Sequence, residues 1–179
     1  MSAITAGSLL VATPMLEDPN FRHAVVYIAE HNEDGTLGFI LNRPLDLPLD
    51  EVWDGCPDSL TGLRCCAQGG PVETHKGLLL HGYEQVPGAG SLCAGVWIGG
   101  DGDAIRAAAS DDPEMPCHGP RLILGHAGWS EGQLAGEIGA GAWAVRPGDA
   151  RLLLNPDPPE DLWQTCLGAG DGPRTPSTN

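Results

Sequence analysis

The stretch spanning residues 24–44 constrains the fold of this chain more than any other. It contains two apolar runs, 24–29 and 37–41, joined by the polar turn 32–35. Both runs are apolar on alternate and on adjacent positions, so neither face of either strand is suited to water and other layers must cover both faces. The sequence therefore predicts a buried β-hairpin at the centre of a layered fold, with Gly35 supplying positive φ in a bulged three- or four-residue connection.

Polar residues follow each strand of this hairpin. Glu30, His31 and Asn32 leave the first strand, and Asn42 and Arg43 leave the second. A carboxylate, an imidazole and an amide can perform acid–base chemistry or bind a small polar ligand, and an arginine can hold an anion. Antiparallel pairing puts the two clusters at opposite ends of the hairpin unless the strands are offset or the chain bends back.

Structural roles for the same residues are the alternative. Asn and Asp side chains in turns commonly bond to main-chain groups, and this is the favoured interpretation of Glu30, Asn32 and Asp34. Arg43 is equally suited to a structural ion pair with a residue such as Glu30.

The charge balance bears on the class of partner. There are 24 acidic and 9 basic residues, which gives a formal net charge of -15, and the cations are scattered singly from Arg22 to Arg174. Nucleic-acid binding usually requires a basic surface that neutralises phosphates. Direct binding to nucleic acid is therefore disfavoured, and the acidic charge is read as a source of solubility.

Cysteine usage and hydropathy indicate the compartment. The chain has six cysteines but no C-x-x-C pair and no window of 18 uncharged apolar residues, and residues 1–6 lack the charged region and long apolar core typical of a secretory leader. These features predict reduced thiols in a cytoplasmic protein without a transmembrane helix. Structural zinc sites normally show two close-spaced ligand pairs, so we expect no metal and no cofactor here. The cysteines are Cys56, Cys65, Cys66, Cys93, Cys117 and Cys166.

Short strands and helices alternate along the rest of the chain. The pattern predicts strands at 9–12, 77–81, 91–98, 122–124, 142–145 and 152–154, and helices near Pro48, at 101–110, after Ser130 and at 157–167. Ser130 and Gln133 match a capping box. We expect a mixed α/β (α+β) fold, a layered sheet with flanking helices and a second, smaller α/β subdomain. Residues 1–167 form one compact domain of two intertwined subdomains with a boundary near 45–70, and 168–179 form a disordered tail.

Two glycine-rich segments are further candidates. The first includes Gly70 and Pro71, and the second runs from Gly125 to Trp129 and leads into the helix that contains Gln133. A helix N-terminus can hold an anion, but neither segment has the glycine spacing of a dinucleotide or P-loop site. We interpret both segments as bends, and close packing of the main chain is the favoured explanation of their glycines.

Four blocks of sequence resemble successive blocks of the bacterial YqgE/AlgH family. They are GSLLVATPMLEDPNFRHAVVYIAEHNEDGTLGFILNRP, QGGPVETHKGLLLHG, LGHAGWSEGQLAGEIGAGAWAV and LLLNPDPPEDLW, and the resemblance covers residues 7 to about 167. Two departures are His126, where the family usually has Tyr, and residues 99–103, which replace a Ser/Thr-rich stretch. The resemblance implies a compact cytoplasmic bacterial protein of mixed α/β structure with two subdomains. It also carries the label of transcriptional regulator, for a family without an assigned molecular activity.

Three functions follow from these observations. The preferred one is a non-enzymatic binding or regulatory protein, with a small ligand or a protein partner and a possible homo-oligomeric state. The others are a transcriptional regulator that contacts DNA directly, and a hydrolase-like enzyme that uses Glu30, His31 and Arg43. No residue is assigned to catalysis. The candidate ligand-binding residues are Glu30, His31, Asn32, Asn42, Arg43, Gly70, Pro71, Gly125, Trp129 and Gln133.

Overall fold

A single sheet dominates the computed structural model, which describes residues 4–53, 56, 66–93, 95–114, 118–155 and 160–169. In these residues nine strands form the sheet, and three α-helices and two short 3-10 helices accompany it. The prediction of a mixed α/β fold is confirmed. The division into two subdomains stays a prediction, because one strand, described below, belongs to both halves of the sheet.

The elements follow one another along the chain with short connections. The strands are β1 Ser8–Ala12, β2 Val25–Asn32, β3 Gly35–Ile40, β4 Cys66–Gln68, β5 Val72–His81, β6 Gly90–Cys93, β7 Val96–Ile98, β8 Arg121–Trp129 and β9 Trp143–Pro147. The helices are α1 Gly102–Ser110, α2 Gln133–Gly139 and α3 Leu162–Ala169, with 3-10 helices at Leu49–Glu51 and Ala150–Leu154. Hydrogen-bonded neighbours in the sheet run β6-β7-β5-β8-β3-β2-β1-β9, and β4 pairs with β8.

The predicted central hairpin is present as β2 and β3. Residues 24–29 are at most 4% exposed, and their side chains alternate between two core clusters on opposite faces of the sheet. The connection is shorter than expected: Asn32 pairs with Gly35, which leaves only Glu33 and Asp34 in the loop. The bulge lies inside β2 instead, between Ile28 and Glu30. Both faces of the hairpin are covered, as the two continuous apolar runs predict.

Strand β8 connects the two halves of the sheet. Its first half pairs in parallel with β4 and antiparallel with β5, while its last three residues pair with β3. The segment between β4 and β5 crosses β8: Gln68 pairs with Leu124 on one edge, and Val72 pairs with His126 on the other. A Cβ atom at Gly125 would lie 3.1 Å from the Val72 carbonyl oxygen and nearer still to that of Gly70. Close main-chain packing therefore explains the glycines of this crossing.

Several local expectations were wrong. Residues 125–129 are strand rather than bend, because β3 pairs with them. The expected strand at 91–98 is the hairpin β6–β7, and the one at 152–154 is a 3-10 helix. Gly168 lies inside α3, where the tail was expected to begin. The expected cap at 157–159, most of the tail, Cys65 and Cys117 lie outside the described residues.

The starts of the helices were predicted with mixed success. Asp101 caps α1 as expected, accepting a hydrogen bond from the amide of Asp103 at 3.3 Å. Half of the predicted capping box forms: Gln133 Oε1 accepts from the amide of Ser130 at 3.0 Å, but the residue that caps α2 is Gly132, at φ 80°. None of the helices in the described part of the chain is long and apolar enough to cross a bilayer.

Candidate functional site

An open cavity of about 550 Å³ lies where the turn of the β2–β3 hairpin meets the end of β8. We call it the hairpin cavity. It exists because Thr36 pairs with Trp129 and Leu37 with Gly128, while the crossing segment brings Val72 beside His126. Its described lining residues are Glu30, Asn32, Asp34, Gly35, Thr36, Leu37, Val72, His126, Gly128 and Trp129.

The rim of the hairpin cavity is acidic. Glu30 and Asp34 are exposed carboxylates, and no Lys or Arg occurs among the described lining residues. Asn32 Oδ1 accepts the amide hydrogen of Asp34 at 2.8 Å, so the structural alternative holds for Asn32 and the turn is braced. The hairpin cavity therefore presents hydrogen-bond acceptors and negative charge on a turn that is stabilised by the Asn32–Asp34 hydrogen bond.

His31 points to a neighbouring, smaller cavity. Its Nδ1 atom lies 2.7 Å from the hydroxyl oxygen of Thr36. This second space, of about 250 Å³, also borders Asn32 and the segment that leads into α2. His31 is thus a neighbour of the hairpin cavity and not part of its lining.

Trp129 closes the hairpin cavity from the core side, and a residue that the sequence did not single out fixes its position. Glu137 Oε1 accepts hydrogen bonds from the indole nitrogens of Trp129 at 3.0 Å and of Trp143 at 2.9 Å. Its other oxygen, Oε2, accepts from Gln133 Nε2 at 3.1 Å. Glu137 was missed because the pattern of α2 marks it only as a polar helical position. Gln133 serves this network and lines none of the described cavities.

Asn42 and Arg43 lie at the other end of the hairpin. Asn42 follows β3 beside Ala24, six residues along β2 from Glu30, or about 20 Å at the strand rise. Its Oδ1 accepts from the amide of Val25 at 2.9 Å, and its Nδ2 donates to the His23 carbonyl at 2.8 Å. The side chain of Asn42 thus continues the ladder of main-chain bonds past the end of the strand.

Arg43 borders a separate cavity of about 500 Å³, which we call the Arg43 cavity. Its guanidinium donates to the main-chain carbonyls of Arg22 and, at 3.4 Å, of Asn42. Burial lowers the pKa of this group below its usual value. The described lining is His23, Asn42, Arg43, Glu160, Asp161, Trp163 and Gln164.

The separation of the two cavities decides one of the sequence hypotheses. Glu30 and His31 stand at the turn end of the hairpin and Arg43 at the opposite end, so the three cannot act on one substrate. The hydrolase-like site built from these residues is therefore wrong. An ion pair between Arg43 and Glu30 is wrong for the same reason.

The glycine-rich candidates adjoin the hairpin cavity without lining it. Gly70 and Gly125 lie at the crossing of β8, where each lacks space for a Cβ atom, and Pro71 connects that crossing to Val72. Their place in the fold is explained by main-chain contact. Their position brings Val72 and His126 to the cavity wall.

One cluster outside both cavities has the side chains that can ligate a metal. Asp112, Glu114 and His118 each offer an atom, all within 4.8 Å of one another. His118 Nδ1 lies 2.8 Å from Asp112 Oδ2, which also accepts from the Tyr83 hydroxyl at 2.9 Å. Burial acts to raise the pKa of Asp112, but these hydrogen bonds, with one from the Glu114 amide, hold it below its ordinary value. Asp112 is thus already engaged by neighbouring groups.

The buried Cys66 and the half-buried Cys93 and Cys166 are poor nucleophiles. Burial raises the pKa of the Cys66 thiol to about 11, and burial likewise raises the pKa of Cys93 and of Cys166. A thiol with a raised pKa carries little thiolate near neutral pH. These residues are best described as core side chains.

Comparison with known proteins identifies the lineage. The family model DUF179, described as AlgH-like, matches residues 9–173. The chain belongs to the AlgH-like family. The resemblance to the YqgE/AlgH family drawn from its sequence blocks is thereby confirmed.

Curated relatives of this AlgH-like chain cover most of its length. The UPF0301 protein AlgH of Pseudomonas aeruginosa PAO1 is 37% identical over 163 residues, covering 86% of this chain and 82% of that protein. A UPF0301 protein of Idiomarina loihiensis is 35% identical over 164 residues, covering 87% and 85%. The names of these relatives state a family and no reaction.

Two solved structures resemble the AlgH-like fold described above. The solution structure of AlgH from Pseudomonas aeruginosa matches with a TM-score of 0.66 at 33% identity, covering 95% of this chain and 94% of that one. The crystal structure of protein DIP2367 from Corynebacterium diphtheriae matches with a TM-score of 0.62 at 24% identity, covering 86% and 81%. The second likeness supports the fold alone.

Proposed function

We propose that this AlgH-like protein is a non-enzymatic, cytoplasmic binding protein whose hairpin cavity holds a small ligand with a cationic group. The observation that carries the proposal is the convergence of Glu30, Asn32 and Asp34 at one open cavity without a described Lys or Arg in its lining. Carboxylates on a rigid turn attract ammonium or guanidinium groups and accept their hydrogen bonds. A regulatory role would then follow from occupancy of the cavity.

The surroundings of the hairpin cavity support binding by a preformed site. The turn is a two-residue loop braced by the Asn32–Asp34 hydrogen bond. The opposite wall is the end of β8, held by its pairing with β3 and by the bond from Trp129 to Glu137. Groups held in this way lose little conformational entropy when a ligand enters. Different hydrogen bonds stabilise the turn and the opposite wall, so the cavity keeps its shape without a ligand.

The test compares cationic probes with neutral and anionic ones of similar size. Putrescine, agmatine, glycerol and butyrate are each titrated into the protein by isothermal titration calorimetry. We expect heat of binding for putrescine or agmatine and none for glycerol or butyrate. Binding of butyrate as tight as that of the amines, or no binding of either amine, would overturn the proposal.

Matched variants locate the binding. Glu30→Gln removes a lining carboxylate, and Glu33→Gln removes an exposed carboxylate of the same turn that does not line the cavity. An exposed ion pair contributes up to about 1 kcal/mol, so we expect about fivefold weaker amine binding in Glu30→Gln and unchanged binding in Glu33→Gln. Equal weakening in both variants would show attraction to overall charge and not to the hairpin cavity.

A further inference from the structure

The Arg43 cavity differs from the hairpin cavity in having an arginine among its described lining residues. Arg43 is half-buried, and its two recorded hydrogen bonds go to main-chain carbonyls. A guanidinium group carries five N–H donors, so the others have no protein acceptor in the part of the chain that the structure describes. No described carboxylate forms an ion pair with it. A partly desolvated cation of this kind is stabilised by an incoming anion.

A fixed aromatic wall stands beside this cation. Trp163 donates from its indole nitrogen to the Ala12 carbonyl at 2.6 Å, which anchors α3 to β1. The ring of His23 stacks on Trp163 with centroids 3.9 Å apart and planes inclined by 20°. Both rings line the cavity. The wall is therefore built from two segments of the chain, the turn before β2 and helix α3, and each is held by its own hydrogen bond.

His23 keeps its position at a conformational cost. Its φ is 60°, in the left-handed region that a side chain with a Cβ rarely occupies. The Asn42 amide holds the His23 carbonyl, and Arg43 holds that of Arg22 immediately before it. Strain of this type persists only where the surroundings enforce it, and it clusters at ligand sites. The residues that enforce it here are the same ones that line the cavity.

Acidic groups from a second element complete the lining. Glu160 and Asp161, directly before α3, contribute carboxylates, and Gln164 on the first turn of α3 contributes an amide. A doubly anionic ligand would meet Arg43 favourably and these carboxylates unfavourably. A ligand with one carboxylate and one ammonium group satisfies both sets.

We propose that the Arg43 cavity binds a small zwitterion of the α-amino acid class, with its carboxylate on Arg43 and its ammonium group facing Glu160 and Asp161. The site is independent of the hairpin cavity, from which the hairpin separates it by about 20 Å. Its volume of about 500 Å³ lies within the usual range for small-molecule sites. Trp163 and His23 offer a flat surface to the ligand side chain.

The test uses the full chain and three matched forms of one probe. The twenty free L-amino acids are screened by isothermal titration calorimetry, and the tightest binder is compared with its carboxamide, which lacks the carboxylate, and its N-acetyl form, which lacks the ammonium group. A charge-assisted hydrogen bond corresponds to about ten- to hundredfold in affinity. We expect both modified forms to bind at least about tenfold more weakly than the free amino acid.

Variants assign the binding to the Arg43 cavity. Arg43→Lys keeps the charge but loses the planar fork, and the double variant Glu160→Gln with Asp161→Asn keeps the shape of the rim without its charge. Each should weaken binding by about tenfold or more, whereas Arg22→Gln, which changes an exposed neighbour outside the lining, should leave it unchanged. Because Arg43 also bonds to the Arg22 carbonyl, thermal unfolding of Arg43→Lys checks its fold.

The outcomes separate this inference from the proposed function. No binding of any amino acid, equal binding of the N-acetyl form, or full binding in the Glu160/Asp161 double variant would each overturn it. Glu30→Gln should leave amino acid binding unchanged. Loss of amino acid binding in Glu30→Gln would place the ligand in the hairpin cavity and likewise contradict the inference.

Discussion

At the scale of single residues, Gly35 is constrained for two separate reasons. The sequence accounts for this glycine through the turn, and its φ of 137° agrees with that reason. The structure adds a second reason that is not local: a Cβ atom here would collide with the main-chain carbonyl of Trp129, on the neighbouring strand. Conformation and space therefore both require glycine. The residue joins the central hairpin to β8 as well as closing its turn.

Replacement of Gly35 by alanine should be costly in a way that an ordinary glycine replacement is not. We expect Gly35→Ala to lower the free energy of unfolding by about 2 to 3 kcal/mol, since it combines backbone strain with a steric collision. The matched control is Gly136→Ala inside α2, where nothing lies within 4 Å of the new Cβ atom. That change should raise the free energy of unfolding by about 0.5 to 1 kcal/mol. Urea unfolding measures both, and similar values for the two variants would contradict the argument.

Asn42 shows why residue types alone did not reveal roles. An amide after a buried strand was a candidate ligand-binding group, yet its two ends bond to the main chain of His23 and Val25. That role depends on the register of β2 against β3, which places Asn42 beside the start of β2. Residue identity could predict a polar contact there but not its partner.

At the scale of elements, strong local sequence signals were sufficient to predict the secondary structure, and weak ones were not. The β2–β3 hairpin follows from two long apolar runs and a turn, and α1 follows from its cap at Asp101. The run 152–154 is apolar in the same way but too short to separate a strand from a 3-10 helix. The segment 125–129 reads as a bend because of its glycines, and it is a strand because β3 supplies the pairing.

Helix α2 illustrates how a short element depends on tertiary contacts. It has only seven residues, Gln133–Gly139, and two of them, Gly136 and Gly139, are glycines. An isolated helix of this length is unstable in water. Its attachment to the sheet runs through Leu134 in the core and through the Glu137 carboxylate, which accepts from both Trp129 and Trp143.

Removal of the Glu137 carboxylate should loosen this attachment. In Glu137→Ala the indole N–H groups of Trp129 and Trp143 lose their acceptor, and we expect a loss of about 2 to 4 kcal/mol in the free energy of unfolding. Glu131→Ala, an exposed acidic residue just before α2, is the matched control and should change it by less than about 0.5 kcal/mol. Urea unfolding followed by tryptophan fluorescence measures both. If Glu137→Ala were as stable as Glu131→Ala, the two indole hydrogen bonds would not be holding α2.

At the scale of the whole molecule, the crossing of β8 decides what the cavities contain. Composition and periodicity predict a sheet with helices, but nothing local predicts that residues 69–71 pass from one edge of β8 to the other. That topology brings His126 and Val72 to the turn of the hairpin, and it leaves Arg43 at the far end. Of the candidate residues predicted from the sequence, Glu30, Asn32 and Trp129 therefore line one cavity, and Asn42 and Arg43 line another. That either set binds a ligand stays a prediction.

The distribution of cations bears on the remaining hypothesis, direct contact with DNA. Lys76, Arg106 and Arg151 each pair with a carboxylate a few residues away, and Arg121 is 1% exposed in the core. These account for four of nine cations in a chain of net charge -15. A protein that binds DNA neutralises several phosphates at once with a local basic surface. The cations left over would have to overcome a strongly repulsive acidic field.

We therefore expect the protein not to retard duplex DNA in a gel-shift assay, even at about 50 mM salt, where phosphate contacts are strongest. The assay needs a basic DNA-binding protein as positive control and a range of salt concentrations. Retardation that weakens steeply as salt rises would reveal several phosphate contacts and would contradict the expectation. Retardation independent of salt would indicate binding that does not rely on phosphate contacts, and competition with unlabelled duplex tests whether that binding is reversible. Absence of retardation at every salt concentration would direct any regulatory role of this AlgH-like chain to its ligands and protein partners.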